Sequence, residues 1–367
     1  MTQTAQSAPE SAPGVKPGAP ADDAIMRVGV MTGPGAIEIR EAPVPRPGVN
    51  EVLVRIRATA ICTWEQRSYS GQQDNKFPFV GGHEMSGEVA EIGPGVSSQI
   101  QVGQAVTVGS AACGQCHWCR SGRDRACPQH YAGAVSYGDA WGPGGFAEYK
   151  VHPASGIYPI PGEASWEAIS LAEPLSCALH AVRLLDLRVA DDAVVIGAGV
   201  MGLMNVIALK KHGARVIVSE IDADRLAKAR QLGADITIDA SREDPVAVVR
   251  ELTEGRGAEH VITAIGSGKA NDQVMAMLSE RGRLVLFASA HPMTPLAIDP
   301  NHMHNHETSV VGSLSSEQAD FQVAARLIGL GQVDLEPLIQ QQFPLSELAA
   351  ALDASIAPGT YRMIVTP

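Results

Sequence analysis

The sequence predicts an α/β protein in two parts, an irregular all-β region followed by a doubly wound parallel sheet. Three observations predict it. Short alternating apolar runs broken by Gly and Pro fill residues 25 to about 158. From about residue 168, apolar strands alternate with helical stretches. The second pattern opens on a glycine-rich turn set between a strand and a helix. A chain of 367 residues, 45% of them hydrophobic, suits two domains of roughly 100–200 residues each.

Residues 1–24 are rich in Ala, Pro, Ser and Gly and nearly devoid of large apolar side chains, so a disordered leader is expected there. The runs EVLVRIRATA and QAVTVGS then read as strands of a barrel-like region. Further on, AVVIG, VMGLMNVIALKKHG, RVIVSE, ADRLAKARQLG, DITI, HVITAI and RLVLFA alternate strand with helix, as right-handed βαβ units do. The chain closes on TYRMIV, a β pattern closer to the first part than to the second. The expected division is therefore 25–172 with 307–367 as one β domain, and 173–306 as a nucleotide-binding domain.

The formal charge of −12, with no basic run, disfavours a nucleic-acid partner. No apolar stretch approaches the ~18–20 residues that span a bilayer, and the start lacks the basic and apolar segments of a signal peptide. A cytoplasmic protein without membrane association is the expectation. Four of the six cysteines cluster between Cys113 and Cys127, which suits metal ligation better than disulfides.

Gly197, Gly199 and Gly202 form G-A-G-V-M-G directly after the strand AVVI. The first glycine permits the tight turn, the second lets the backbone approach a pyrophosphate, and the third lets helix and strand pack closely. Glu220 ends the next strand, eighteen residues beyond Gly202. There a carboxylate would accept hydrogen bonds from the adenosine ribose and repel a 2′-phosphate, so NAD is expected rather than NADP. Arg225 lies close enough to stack on adenine or to assist a phosphate. Met201 and the segment Phe287, Ala288 and Ser289 are further candidate cofactor contacts.

Cys113, Cys116, Cys119 and Cys127 make C-x2-C-x2-C-x7-C in a Gly- and Arg-rich loop. Four thiolates closing a tetrahedron leave no open position, the mark of a structural zinc site. An iron–sulfur cluster or a set of free thiols is the alternative. A second metal set is assembled from farther apart: Cys62 after a strand, His83 and Glu84 after the turn VGG, and Glu173 at a helix start. One thiolate and one carboxylate would neutralise Zn²⁺, with His83 as a neutral ligand and one position left exchangeable.

These segments, with GGHEMSGEVAEIGPGV, LAEPLSCALHA and VVIGAGVMGL in the same order, resemble the medium-chain zinc alcohol dehydrogenases, in particular their sorbitol and threonine dehydrogenase branch. The resemblance runs from about Met26 to the C-terminus. It implies a chaperonin-10-like N-terminal β domain that the C-terminal tail rejoins, a Rossmann domain, and an active site in the cleft between them. It also implies two zinc ions per chain, one catalytic on Cys62, His83 and Glu84 and one structural, with Glu173 as a further ligand or water-linked carboxylate. Glu220 and Arg225 match the adenosine-ribose pair, and Ser313 and Leu314 a segment near the nicotinamide. A homodimer or homotetramer is implied as well.

The implied reaction passes hydride between a secondary alcohol, polyol or sugar-type hydroxyl and NAD. One departure bears on it: Trp64 stands where the family usually has a Ser or Thr that relays the substrate proton. Proton release then falls to Thr63, a water chain, Glu84 or Glu173, and bulky or unusual substrates come into view. A non-catalytic dinucleotide-binding sensor is the alternative. His302, His304 and His306 are expected to be polar lining near the cleft, while His180 and Cys177 are expected to pack in the interior.

Overall fold

The computed structural model describes residues 19–130, 134–266, 268–290, 293 and 295–367. Most of the expected leader, residues 1–18, lies outside them. Residues 20–22 are tied down, because the Arg46 guanidinium donates to the Pro20 carbonyl at 2.8 Å and to Asp22 at 2.9 Å.

The N-terminal region opens with the antiparallel hairpin β1 (Ile25–Gly33) and β2 (Ala36–Pro43). There follow β3 (Glu51–Ala60), α1 (Thr63–Tyr69), β4 (Glu84–Ile92), β5 (Ala105–Val108) and the short α2 (His117–Arg120). A small hairpin, β6 (Val135–Tyr137) with β7 (Ala140–Gly142), precedes β8 (Tyr149–Pro153) and β9 (Ile157–Pro159). Strand β3 is buried along nearly its whole length because it is central, paired with β4 on one side and β8 on the other.

Helices α3 (Trp166–Ser170) and α4 (Ala172–Arg183) lead into β10 (Asp192–Ile196), α5 (Val200–Lys211), β11 (Arg215–Glu220), α6 (Ala223–Gln231) and β12 (Ile236–Asp239). The pattern continues with α7 (Pro245–Leu252), β13 (Ala258–Thr263), α8 (Gly268–Met277), β14 (Leu278–Leu286), α9 (Pro300–His306) and β15 (Ser309–Gly312). The six strands pair in the order β12-β11-β10-β13-β14-β15, all parallel. Helices on the faces bury both sides of such a sheet, which is why DAVVI is buried at every position. Asp222 and Asp244 cap α6 and α7 through side-chain bonds to free N–H groups of the first turn.

After α10 (Gln318–Gly329) the chain recrosses to the first region as β16 (Ile339–Pro344), α11 (Leu348–Ser355) and β17 (Arg362–Thr366). There the seven-stranded sheet runs β16-β17-β3-β4-β5-β9, with β8 also on β3. The chain is thus a β domain followed by a parallel Rossmann-type domain, in the order that the resemblance implied.

The expected boundary at residue 307 needs correction. Strand β15 pairs with β14 in the Rossmann sheet, and α10 packs on α4. The run SVVG is too short to declare its sheet; only the parallel crossover from β14 assigns it. The expected reading of the histidines also changes. They sit on helix α9, where the rings of His302 and His306 lie 4.3 Å apart and tilted by 39° and His306 meets Glu280 at 2.6 Å, and none lines the cleft.

One apolar core joins Ala58, Ala60 and Ile364 of the β domain to Leu171, Leu175, Val195 and Val218. Gly82 turns the chain just before His83 with φ +87, and a Cβ there would meet the Phe146 amide and the Thr59 methyl at 2.8 Å. Gly82→Ala is expected to cost ~1–3 kcal/mol, read as a lowered urea midpoint at unchanged m-value.

Candidate active site

A cleft of about 850 Å³ separates the two sheets. Cys62, Thr63, Trp64, His83 and Glu84 line its β-domain wall, and Met201, Phe287, Ala288, Ser289, Ser313 and Leu314 line the wall opposite. Every one of these is a residue that the sequence had singled out.

Register explains the cluster on the first wall. Strands β3 and β4 are antiparallel with Ala60 opposite Glu84, so the chain leaving β3 delivers Cys62 beside the start of β4. The donor atoms of Cys62, His83 and Glu84 all lie within 4.8 Å of one another. Glu65, fully buried, accepts from the Cys62 amide at 3.2 Å and the Gly82 amide at 2.9 Å, and meets His83 Nδ1 at 2.8 Å. Proton donation from Nδ1 to that carboxylate leaves the Nε2 lone pair for a metal. Burial lowers the His83 pKa, yet Glu65 and Cys62 outweigh it and hold the imidazole well above its ordinary value.

Glu84 is fully buried, and its Oε1 accepts from Arg362 Nη2 at 2.6 Å. Its other oxygen, Oε2, is buried without a hydrogen-bond partner among the described residues. Burial above all raises the Glu84 pKa to about 7, against the pull of Arg362. Burial and Glu84 likewise raise the Cys62 thiol. An unsatisfied carboxylate oxygen beside a thiol and an imidazole is what a divalent cation of zinc type would complete. The donor set fits that ion.

Glu173 also lines the cleft but does not join the three-residue set. Its Oε1 is 3.4 Å from Cys177 Sγ. Cys177 therefore faces the cleft, where the sequence had suggested a buried packing residue. His180 packs inside as expected, its Nδ1 at 2.9 Å from Asp320. Trp64 stands edge-on to Phe79 at 5.0 Å and to His83 at 5.8 Å, an apolar wall where a hydroxyl would be the usual occupant.

Cys113, Cys116, Cys119 and Cys127 form the second set, their sulfurs within 4.8 Å of one another. Amides of Gln115 and Cys116 donate to Cys113 at 3.5 and 3.4 Å and pull its pKa down to about 6. Cys119 is pushed up to about 12 by burial and by its thiol neighbours. Crowded sulfurs resist sharing negative charge, and a bound dication removes that resistance. The lobe docks on α10 through the amide of Gln318 to Asp124 at 2.8 Å and the amide of Arg125 to Glu317 at 2.7 Å.

On the opposite wall the glycine turn follows β10, where strand order reverses and an open α/β sheet leaves a crevice. A Cβ on Gly197 (φ +95) would strike Ile265, and one on Gly202 would strike the Gly197 carbonyl, whereas Gly199 faces open space. That is the room a pyrophosphate needs at a helix N-terminus. Glu220 ends β11 and accepts from the amides of Ala198 at 2.8 Å and Ile221 at 2.7 Å. Arg225 lies in the first turn of α6, its amide capped by Asp222 at 3.0 Å.

Two residues that hold the ligand set in place escaped the sequence reading. Glu65 was visible only as an acidic residue three positions after Cys62, a capping-box spacing. Arg362 gave no local signal, since it reaches Glu84 from 278 residues away. Arg362→Met is expected to destabilise the fold by ~3–5 kcal/mol, because it strands a buried carboxylate, and adding Glu84→Gln should recover much of that loss in urea titrations. Cys113→Ser should lower zinc content by about one ion per chain, measured by elemental analysis.

Comparison with known proteins agrees with this geometry. Residues 48–162 match the alcohol dehydrogenase GroES-like domain, and residues 200–329 the zinc-binding dehydrogenase family. The chain is 31% identical to a sorbitol dehydrogenase of Halalkalibacterium halodurans, over 91% of this chain and 97% of that protein. It is 32% identical to an L-threonine 3-dehydrogenase of Bacillus subtilis, over 91% and 95%. A zinc-binding dehydrogenase of Sinorhizobium meliloti, solved with NADP bound, superposes with a TM-score of 0.83 at 27% identity, covering 94% of this chain and all of that one. With one candidate zinc cluster in the cleft, a second in the four-cysteine lobe and a dinucleotide-binding fold, the chain belongs to the zinc-dependent medium-chain alcohol dehydrogenase family.

Proposed function

We propose that the protein is an NAD-linked dehydrogenase of the sorbitol and threonine dehydrogenase branch, passing hydride between a secondary hydroxyl of a polyol or sugar-type substrate and the nicotinamide. The observation that carries this reading is the Cys62, His83 and Glu84 set, with its unsatisfied Glu84 oxygen, on the cleft wall facing the residues that flank the glycine turn. A zinc ion bound there supplies Lewis acidity that lowers the pKa of a substrate hydroxyl.

The chain's own residues do the rest. Glu65 fixes the His83 tautomer and Arg362 orients Glu84. Trp64 narrows the pocket and sheds water from it. Thr63, Glu84 and Glu173 are cleft groups able to take the hydroxyl proton. Met201, Phe287, Ala288, Ser289, Ser313 and Leu314 line the wall that would hold the nicotinamide half of the cofactor, so that approach and orientation would be set before reaction. The Glu220 carboxylate at the end of β11 supports NAD over NADP.

The second reading, a non-catalytic dinucleotide-binding relative, is favoured by one observation, Trp64 in place of a relay hydroxyl. Elemental zinc, together with NADH formation over alcohols, polyols and sugars, separates the two. The dehydrogenase reading expects about two zinc ions per chain and turnover on one substrate class. In the Cys62→Ser protein NADH formation should disappear while NADH binding persists; normal turnover there would sink the proposal. Glu220→Gly should shift the NADP/NAD ratio of kcat/KM upward by roughly tenfold, equivalent to about 1.4 kcal/mol.

A further inference from the structure

Strand β8 carries two residues that its position does not call for. Lys150 and His152 alternate on the inward face, opposite Val54 and Val52 of β3, and both are buried, with exposures of 1% and 4%. Inward positions of a β-domain strand are ordinarily apolar. Both residues nevertheless line the cleft from the β domain, as Cys62, His83 and Trp64 do, across from the residues of the Rossmann domain. That is the substrate half.

Their polar atoms are specifically arranged. The Lys150 ammonium donates to the Pro143 carbonyl at 2.6 Å, and Pro143 too lines the cleft. His152 Nε2 lies 2.8 Å from the Gly109 carbonyl, so it carries the proton. Burial, and then the Lys150 charge, hold the His152 pKa well below its ordinary value. With the proton on Nε2, the Nδ1 of the ring is the acceptor. That Nδ1 is buried with no hydrogen-bond partner among the described residues. Gly156 leaves the space that the ring occupies, since a Cβ there would collide with Nε2. Burial lowers the Lys150 pKa to about 7, so an arriving anion favours its charged form.

We infer that Lys150 and His152 recognise a substrate bearing an anionic oxygen group beside a hydroxyl: the ammonium receives the anion and His152 Nδ1 accepts the neighbouring O–H. The substrate class is then a polyhydroxylated acid anion, a sugar acid or a sugar phosphate, in place of a neutral polyol. This inference rests on the dehydrogenase reading for the site, and it names what that site oxidises or reduces. Nothing in it alters the hydride step; the pair selects and orients the substrate.

The test is calorimetric binding to the full-length, zinc-replete protein saturated with NADH, using gluconate, sorbitol of the same carbon number, and a sorbitol phosphate. The anions are expected to bind at least about tenfold more tightly than sorbitol. A stronger signal from gluconate assigns a carboxylate to Lys150, and one from the phosphate ester assigns a phosphate. Lys150→Met should erase the preference at unchanged zinc content and NADH affinity, while Lys150→Arg keeps most of it. His152→Phe should weaken all three ligands alike. Equal binding of sorbitol and both anions to the unaltered protein, or a preference that survives Lys150→Met, overturns the inference. NADH formation, followed with the same compounds and NAD, tells the two proposals apart: an anion preference without turnover on any of them rejects the dehydrogenase and keeps the anion site. Turnover on sorbitol with no anion preference does the reverse.

Discussion

The buried ion pair between Glu84 and Arg362 is the interaction on which the rest of the molecule depends. Both side chains are almost wholly out of water, so neither charge is tolerable without the other. One comes from the first residue of β4 and the other from the first residue of β17, so the chain's last strand must return to its first sheet for the pair to form. Arg362 also donates to Met201 Sδ at 3.6 Å, within the helix that follows the glycine turn. A single guanidinium therefore ties the metal-ligand wall, the C-terminal strand and the dinucleotide wall together.

The surrounding core makes that tie rigid. Ala58 and Ala60 of β3 pack with Leu171 and Leu175 at the start of α4, and these with the buried strands of the Rossmann sheet. Small residues on β3 let the second domain approach closely, and close packing leaves few ways for the walls to slide. The cleft is thus open where polar groups line it and closed by apolar contact behind them.

What could be read in the sequence was what is local. The glycine turn and the four-cysteine loop each lie within about 15 residues, and their chemistry follows from spacing alone. Cys62, His83 and Glu84 became legible only in company, because the register of β3 on β4 brings them together. Glu65 hid inside a helix start whose capping role looks the same with or without a histidine to orient. Arg362, Lys150 and His152 could not be found at all, since their meaning comes from pairing partners and walls far away in the chain. The same limit displaced the domain boundary, where the four residues of β15 fit either sheet until a neighbouring strand claims them.

The four-cysteine lobe stands away from any reacting atom, yet it reaches across to the other domain. Its Asp124 and Arg125 exchange hydrogen bonds with Gln318 and Glu317, at the head of the helix that follows Ser313 and Leu314. An ion held by the four cysteines would close this lobe as a rivet closes a clasp. The four thiols sit in the same segment that grips the head of α10, so loss of a bound ion would loosen the anchor of the chain that runs on from Ser313 and Leu314. A lobe that stands outside the cleft can in this way still help to position the wall that Ser313 and Leu314 line.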